Sequence, residues 1–198
     1  MTRHLLIAGA AIAALSLAAC GQPADQSATA PAESVTPDAN PTATVPTMAD
    51  EASAPDFVRL AAQSDMLEIQ SSQMALERAQ DAEVKAFAQM MVDAHTKTTQ
   101  DLKTAVEATG QPITPPATAD EEVTDELNDL REAEAADFDK EYMELQVETH
   151  QKALNLMQRY AGDGDTPGLQ AFAAATAPAI QQHLDQATAL KERLDAAN

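Results

Sequence analysis

Tryptophan is absent, aromatic residues make up only 3% of the 198, and a single cysteine stands without a partner. The shortage of aromatic rings argues against the stacking platforms of single-strand nucleic-acid binders and against an aromatic-lined ligand pocket. Basic residues are scarce too, 12 Lys and Arg against 32 Asp and Glu, for a net charge of -20. Such a chain repels phosphate backbones and anionic lipid, so no nucleic-acid partner is expected, and a cation suits the charge better. A lone thiol excludes an internal disulfide. After Leu17 no apolar run approaches the roughly 20 residues that a membrane-spanning helix needs.

What is present begins with an export signal. Met1-Thr2-Arg3-His4 is a short basic start, and Leu5 to Leu17 is an apolar run interrupted only by Gly9 and Ser16. The run ends in Leu17-Ala18-Ala19-Cys20, which resembles the lipobox of bacterial lipoproteins, where the cysteine is acylated and becomes the new N-terminus. Residues 1–19 are therefore expected to be a cleaved signal peptide and Cys20 the lipidation site, anchoring the protein to a membrane through its acyl chains. By the same resemblance, Gly21 is not the aspartate that retains lipoproteins at the inner membrane. The implied location is the cell envelope, facing the periplasm from the outer membrane. From 20 to 54 the chain is rich in Ala, Pro and Thr with hardly a large apolar residue, the composition of a disordered tether.

Residues 55–198 change character. Phe57, Leu60, Ala61, Ser64, Leu67, Ser71, Met74 and Ala75 recur at three and four, which predicts a helix A from Pro55 to Ala79. Helix B follows the N-cap signal Asp81, repeats through Val84, Phe87, Ala88, Met91, Thr98, Leu102 and Val106, and stops at Gly110. A proline-rich loop, Gln111 to Pro116, precedes a very acidic stretch from Asp120 to Glu134, either a short helix of its own or the first part of helix C. Helix C carries Met143, Val147, Leu154, Met157 and Ala161. Thr166-Pro167 opens helix D, which continues through Leu169, Phe172, Ala173, Ile180, Ala187, Leu190 and Leu194. No strand pattern competes. The prediction is an all-α domain, an antiparallel four-helix bundle of ferritin-like type with an extra short acidic helix before helix C.

His95, His150 and His183 fall on the apolar stripes of B, C and D, and Glu68 lies beside the stripe of A. Three imidazoles and a carboxylate turned inward suit one transition-metal ion, Zn, Fe, Cu or Mn. Counted from Asp81, Glu68 and His95 should meet at one level. His150 and His183 come out about 7 Å apart along the axis at 1.5 Å per residue, which makes Gln146 the better-levelled neighbour of His183. Gln146, Met91, Met157 and Thr98 are candidates to surround the ion, the thioethers favouring copper. Di-iron chemistry is excluded, because the positions three before the histidines are Val92, Val147 and Ile180 rather than glutamates. The competing reading is a buried polar layer without metal, its histidines satisfied by Gln146, Thr176 or one another, that fixes helix register. Pro178 interrupts the hydrogen bonding of helix D and frees the Ala174 carbonyl.

The ordered segments Ser64-Asp65-x-x-Glu68-Ile69, Val84-Lys85-x-Phe87-Ala88-x-x-Met91-Val92-x-x-His95, Phe138-Asp139-x-x-Tyr142 with His150, and Phe172-Ala173 and Pro178 with His183 resemble the uncharacterised bacterial family called domain of unknown function 4142. The likeness covers about Ala54 to Leu190. It departs at one point, where the family pattern has Asp-His and this chain Ala94-His95. The resemblance implies a ferritin-like helical bundle among predicted outer-membrane proteins, and brings no activity with it. Function therefore rests on the residues, as a metal-binding envelope bundle or as a non-enzymatic interaction or stress module whose protein partner the sequence leaves unnamed.

Overall fold

A computed structural model describes residues 53–197. The signal sequence, Cys20 and the tether up to residue 52 lie outside the described residues. Five helices follow one another: α1 Ala54–Arg78, α2 Ala82–Thr109, α3 Glu121–Glu132, α4 Phe138–Asp163 and α5 Pro167–Ala196. There is no strand among the described residues, and no helix is long and apolar enough to cross a membrane.

The ends of the helices follow local chemistry. Ser53 caps α1 by accepting from the Asp56 amide, and the helix starts at Ala54, one residue before Pro55. Ala54 is itself buried, so the domain claims the last residue assigned to the tether. Asp81 caps α2 by accepting from the Glu83 and Val84 amides, and Gly110 closes it in the left-handed conformation, φ 66°, which glycine adopts without strain. Thr166 stands at the start of α5 as expected, yet its side chain does not cap. Its hydroxyl instead donates to Asp165 (3.0 Å) and accepts from the Gln111 amide (3.2 Å).

The acidic stretch is a helix of its own, α3, separated from α4 by Ala133 to Asp137. It lies against α1 and α4, with Val123 and Leu127 packed on Leu67 of α1. The other four helices touch in a ring, α1 to α2, α2 to α5, α5 to α4 and α4 to α1. Inside, apolar packing falls into two large blocks. One gathers Phe57, Leu102, Met157, Tyr160, Leu169 and Ile180; the other Ala75, Phe87, Met91, Phe138, Tyr142 and Ala187. On each helix of the ring, the stretch between the two blocks carries buried or half-buried polar side chains: Asp65 and Glu68 on α1, His95 and Thr99 on α2, Gln146 and His150 on α4, His183 on α5.

Candidate metal centre

Three histidines from three helices converge in that layer. The potential ligand atoms of His95, His150 and His183 all lie within 4.8 Å of one another. Their ring centroids form a nearly regular triangle, 5.6 Å from His95 to His150, 5.5 Å from His150 to His183 and 5.9 Å from His95 to His183.

Each ring presents one buried nitrogen without a hydrogen-bond partner: Nε2 of His95, Nε2 of His150 and Nδ1 of His183. The opposite nitrogens of the first two are engaged. Nδ1 of His95 lies 2.8 Å from Oδ1 of Asp65, whose Oδ2 accepts from the Thr99 hydroxyl at 2.9 Å. Nδ1 of His150 donates to the carbonyl of Gln146 at 2.8 Å. A proton held on Nδ1 leaves the Nε2 lone pair free and aimed inward, the arrangement by which outer partners orient metal-ligating histidines. At metal–nitrogen bonds of about 2.0 Å, ligand nitrogens sit roughly 3.4 Å apart, so an inward movement on the order of 1 Å closes the triangle. The residues fit a transition-metal ion.

Electrostatics support neutral imidazoles at two of the three positions. Burial, reinforced by positive charge at His95, lowers His150 to about 4 against the pull of its hydrogen bond to the Gln146 carbonyl. Burial, reinforced by the charges of His150 and His95, also lowers His183 to about 4. At His95 burial pulls down as well, but the hydrogen bond to Asp65 and the charges of Glu68 and Asp65 outweigh it and raise the group.

Glu68 reaches the layer but takes a different place from the one its spacing suggests. It is not among the converging ligand atoms. Its Oε1 stands 3.2 Å from Nδ1 of His150, on the outer side of that ring, and neither oxygen makes a hydrogen bond. Burial raises it to about 7 against the pull of His95 and of the nearby Gln146 amide, whose Nε2 is directed at Ser71 Oγ at 3.3 Å.

The partner that does meet His95 is Asp65, which the sequence pattern left aside. The physical reason is the loop. Ala79, Gln80 and Asp81 all lie between α1 and α2, so levels must be counted from Gln80, and 65 and 95 are equidistant from it. The expected separation of His150 and His183 is corrected likewise. Because α4 runs on to Asp163, counting from Asp165 leaves an offset of three residues, about 4.5 Å, which two imidazoles can span. Gln146, which by the same count stays within one residue of the level of His183, serves His150 through its backbone carbonyl at 2.8 Å. Met91 and Met157 are buried in the separate apolar blocks. Thr98 turns its hydroxyl back to the Ala94 carbonyl (3.0 Å), and Thr99 is the threonine that serves the layer.

A layer that only fixed register would satisfy its own members, since buried polar atoms are normally paired. Here Thr176 bonds the Phe172 carbonyl of its own helix, and six side-chain atoms of the layer make no hydrogen bond: both Glu68 oxygens, Gln146 Oε1 and the three inward nitrogens. The metal-free reading is not favoured.

Fold and site together define an all-helical domain with a buried histidine cluster able to hold a metal ion. The chain belongs to the family described as domain of unknown function (DUF4142), whose model matches residues 39–190. No curated protein matches it. Among solved structures it is similar to a DUF305 fragment from Deinococcus radiodurans, at 16% identity and a TM-score of 0.58, over 69% of this chain and 93% of that one. It is also similar to CopM in its Cu(II)-bound form, at 16% identity and a TM-score of 0.59, over 72% and 97%, and in its Cu(I)-bound form, at 17% and 0.58, over 71% and 96%. At these identities the likeness is one of fold.

Proposed function

We propose that this protein is a lipid-anchored envelope protein whose helical domain binds one transition-metal ion through His95, His150 and His183. In this reading Cys20 carries the anchor, the periplasmic side of the outer membrane is the location, and the ring of α1, α2, α5 and α4 is an antiparallel, ferritin-like bundle around the ion. The observation that carries the metal reading is the convergence of three buried, partnerless imidazole nitrogens.

Copper is the first choice of ion. The converging donors are all imidazole nitrogens, which suit Cu, Zn and Fe better than Mn, and in the usual order of stabilities Cu(II) stands above Zn(II) and Fe(II). The copper-bound CopM structures share the fold, which adds support. Asp65 and Glu68 place carboxylates around the ring of histidines, where they offset the charge of a buried cation.

Metal analysis of protein purified without a histidine tag, followed by calorimetric titration with Cu(II) and Zn(II), tests the site. One ion per chain is expected, with binding abolished in His150→Ala. Substoichiometric metal and a titration unchanged by that substitution would sink the reading. For the anchor, intact mass should show acylation at Cys20, and Cys20→Ser should release the protein from the membrane fraction.

A further inference from the structure

The three histidines are not equivalent. His95 and His150 are 4% and 1% exposed, whereas His183 is only half-buried. The rings of the first two are also held from behind, His95 by the Asp65–Thr99 pair and His150 by the Gln146 carbonyl with Glu68 alongside. His183 has no hydrogen bond to either ring nitrogen among the described residues, and its inward Nδ1 is without a partner. Along α5, Ala179 one turn before it, Gln182 beside it and Gln186 beyond it are exposed, so this helix borders the ring on a solvent-facing side. Pro178, inside α5, removes one backbone hydrogen bond of the helix five residues before His183.

We infer that His183 is the exchangeable ligand of the centre: the ion enters and leaves on the α5 side, where a small nitrogen donor can take the place of this imidazole, while His95 and His150 stay as a fixed pair. This rests on the metal reading above and adds a direction and an order to it. Exchange breaks the bond from the ion to His183 Nδ1 and forms one to the incoming donor, and the two anchored bonds persist throughout. With the fixed pair in place the ion stays bound when His183 is lost but is held by one bond fewer, so the signature is its rate of release.

The test uses the full chain loaded with Cu(II), with release to EDTA followed by stopped-flow absorbance. His183→Ala should retain the ion, release it faster by roughly tenfold or more, and return towards wild-type release when free imidazole is added. His150→Ala should lose the ion and gain nothing from imidazole, because the space it vacates is sealed; if circular dichroism shows that variant unfolded, His150→Gln replaces it. Equal loss of Cu(II) in the His183 and His150 variants, or rescue by imidazole of the His150 variant alone or of both to the same extent, overturns the inference while leaving the metal site intact. A wild-type chain that binds no Cu(II) overturns the site reading and this inference with it.

Discussion

Asp65 holds His95 in the tautomer that a metal ligand needs, and it is 4% exposed with both oxygens engaged. Loss of such an outer partner costs about 10- to 100-fold in metal affinity. Asp65→Asn is expected to weaken Cu(II) binding by that factor, measured by calorimetry, while Thr98→Ala, whose hydroxyl serves only its own helix, should leave the affinity unchanged. Glu68 makes a prediction about pH. With its pKa raised from 4.5 to about 7, the folded protein holds a proton that the unfolded chain gives up, so its burial costs stability progressively as pH rises through that window. His150 and His183, lowered from 6.5 to about 4, act in the opposite sense: their contribution is present above 6.5 and lost as pH falls towards 4. In metal-free protein, Glu68→Gln should therefore melt above wild type at pH values over 7, with the gap closing by about 4.5 and the loss of stability in acid retained. A gap of the same size at pH 4.5, measured by circular dichroism, would contradict this. The histidines were legible in the sequence because each sits in phase with an apolar stripe. Asp65 and Thr99 were not, because a short polar residue beside a stripe looks like surface until the loop fixes which levels face each other.

Arg78 shows how an element can be fastened by a residue outside it. At the end of α1, its guanidinium donates to the carbonyls of Leu130 (3.0 Å), Arg131 (2.8 Å) and Ala133 (2.6 Å), which are free because they end α3. The same group stacks 4.3 Å over the ring of Phe138, the first residue of α4. Three elements thus meet at one side chain. Lysine gathers its three donors on one point charge, whereas the planar guanidinium spreads its donors over two nitrogens and stacks on the ring, so lysine reproduces neither the spacing of the three carbonyl contacts nor the stacking. Arg78→Lys is expected to cost about 1 to 3 kcal/mol and to show first as faster hydrogen exchange in α3, which buries only Val123, Leu127 and Leu130. Uniform loss of protection across all five helices would refute this local account. Most boundaries were legible from caps and prolines: Asp81, Gly110 and Pro167 mark ends where backbone chemistry is decided within a few residues. Whether α3 stood alone was not, because its separation from α4 depends on these long-range bonds from Arg78 and on Gln80, whose side chain donates to the Ala135 carbonyl at 2.6 Å.

At the scale of the molecule, the domain places a layer of titratable groups between two blocks of apolar packing. Buried polar atoms without partners are costly, on the order of 1 to 3 kcal/mol each, and the layer holds six. An ion bound by the three histidine nitrogens relieves that cost at three of the six in the folded state and has no comparable site in the unfolded chain, so binding and stability are linked. The gain grows with concentration, about 2.7 kcal/mol at a hundredfold excess over Kd. The melting temperature should therefore climb with the logarithm of free Cu(II) and fall back on chelation. The large negative charge would also attract divalent cations to the exposed acids of α3, and a magnesium arm separates the two effects. Mg(II) prefers oxygen donors and can screen those acids, but it does not satisfy three imidazoles. Copper should thus raise the melting temperature in wild type and not in His150→Ala, whereas magnesium at equal ionic strength should act on both alike. Equal stabilisation of wild type and variant by copper would mean that surface charge, not the buried layer, is what the ion meets.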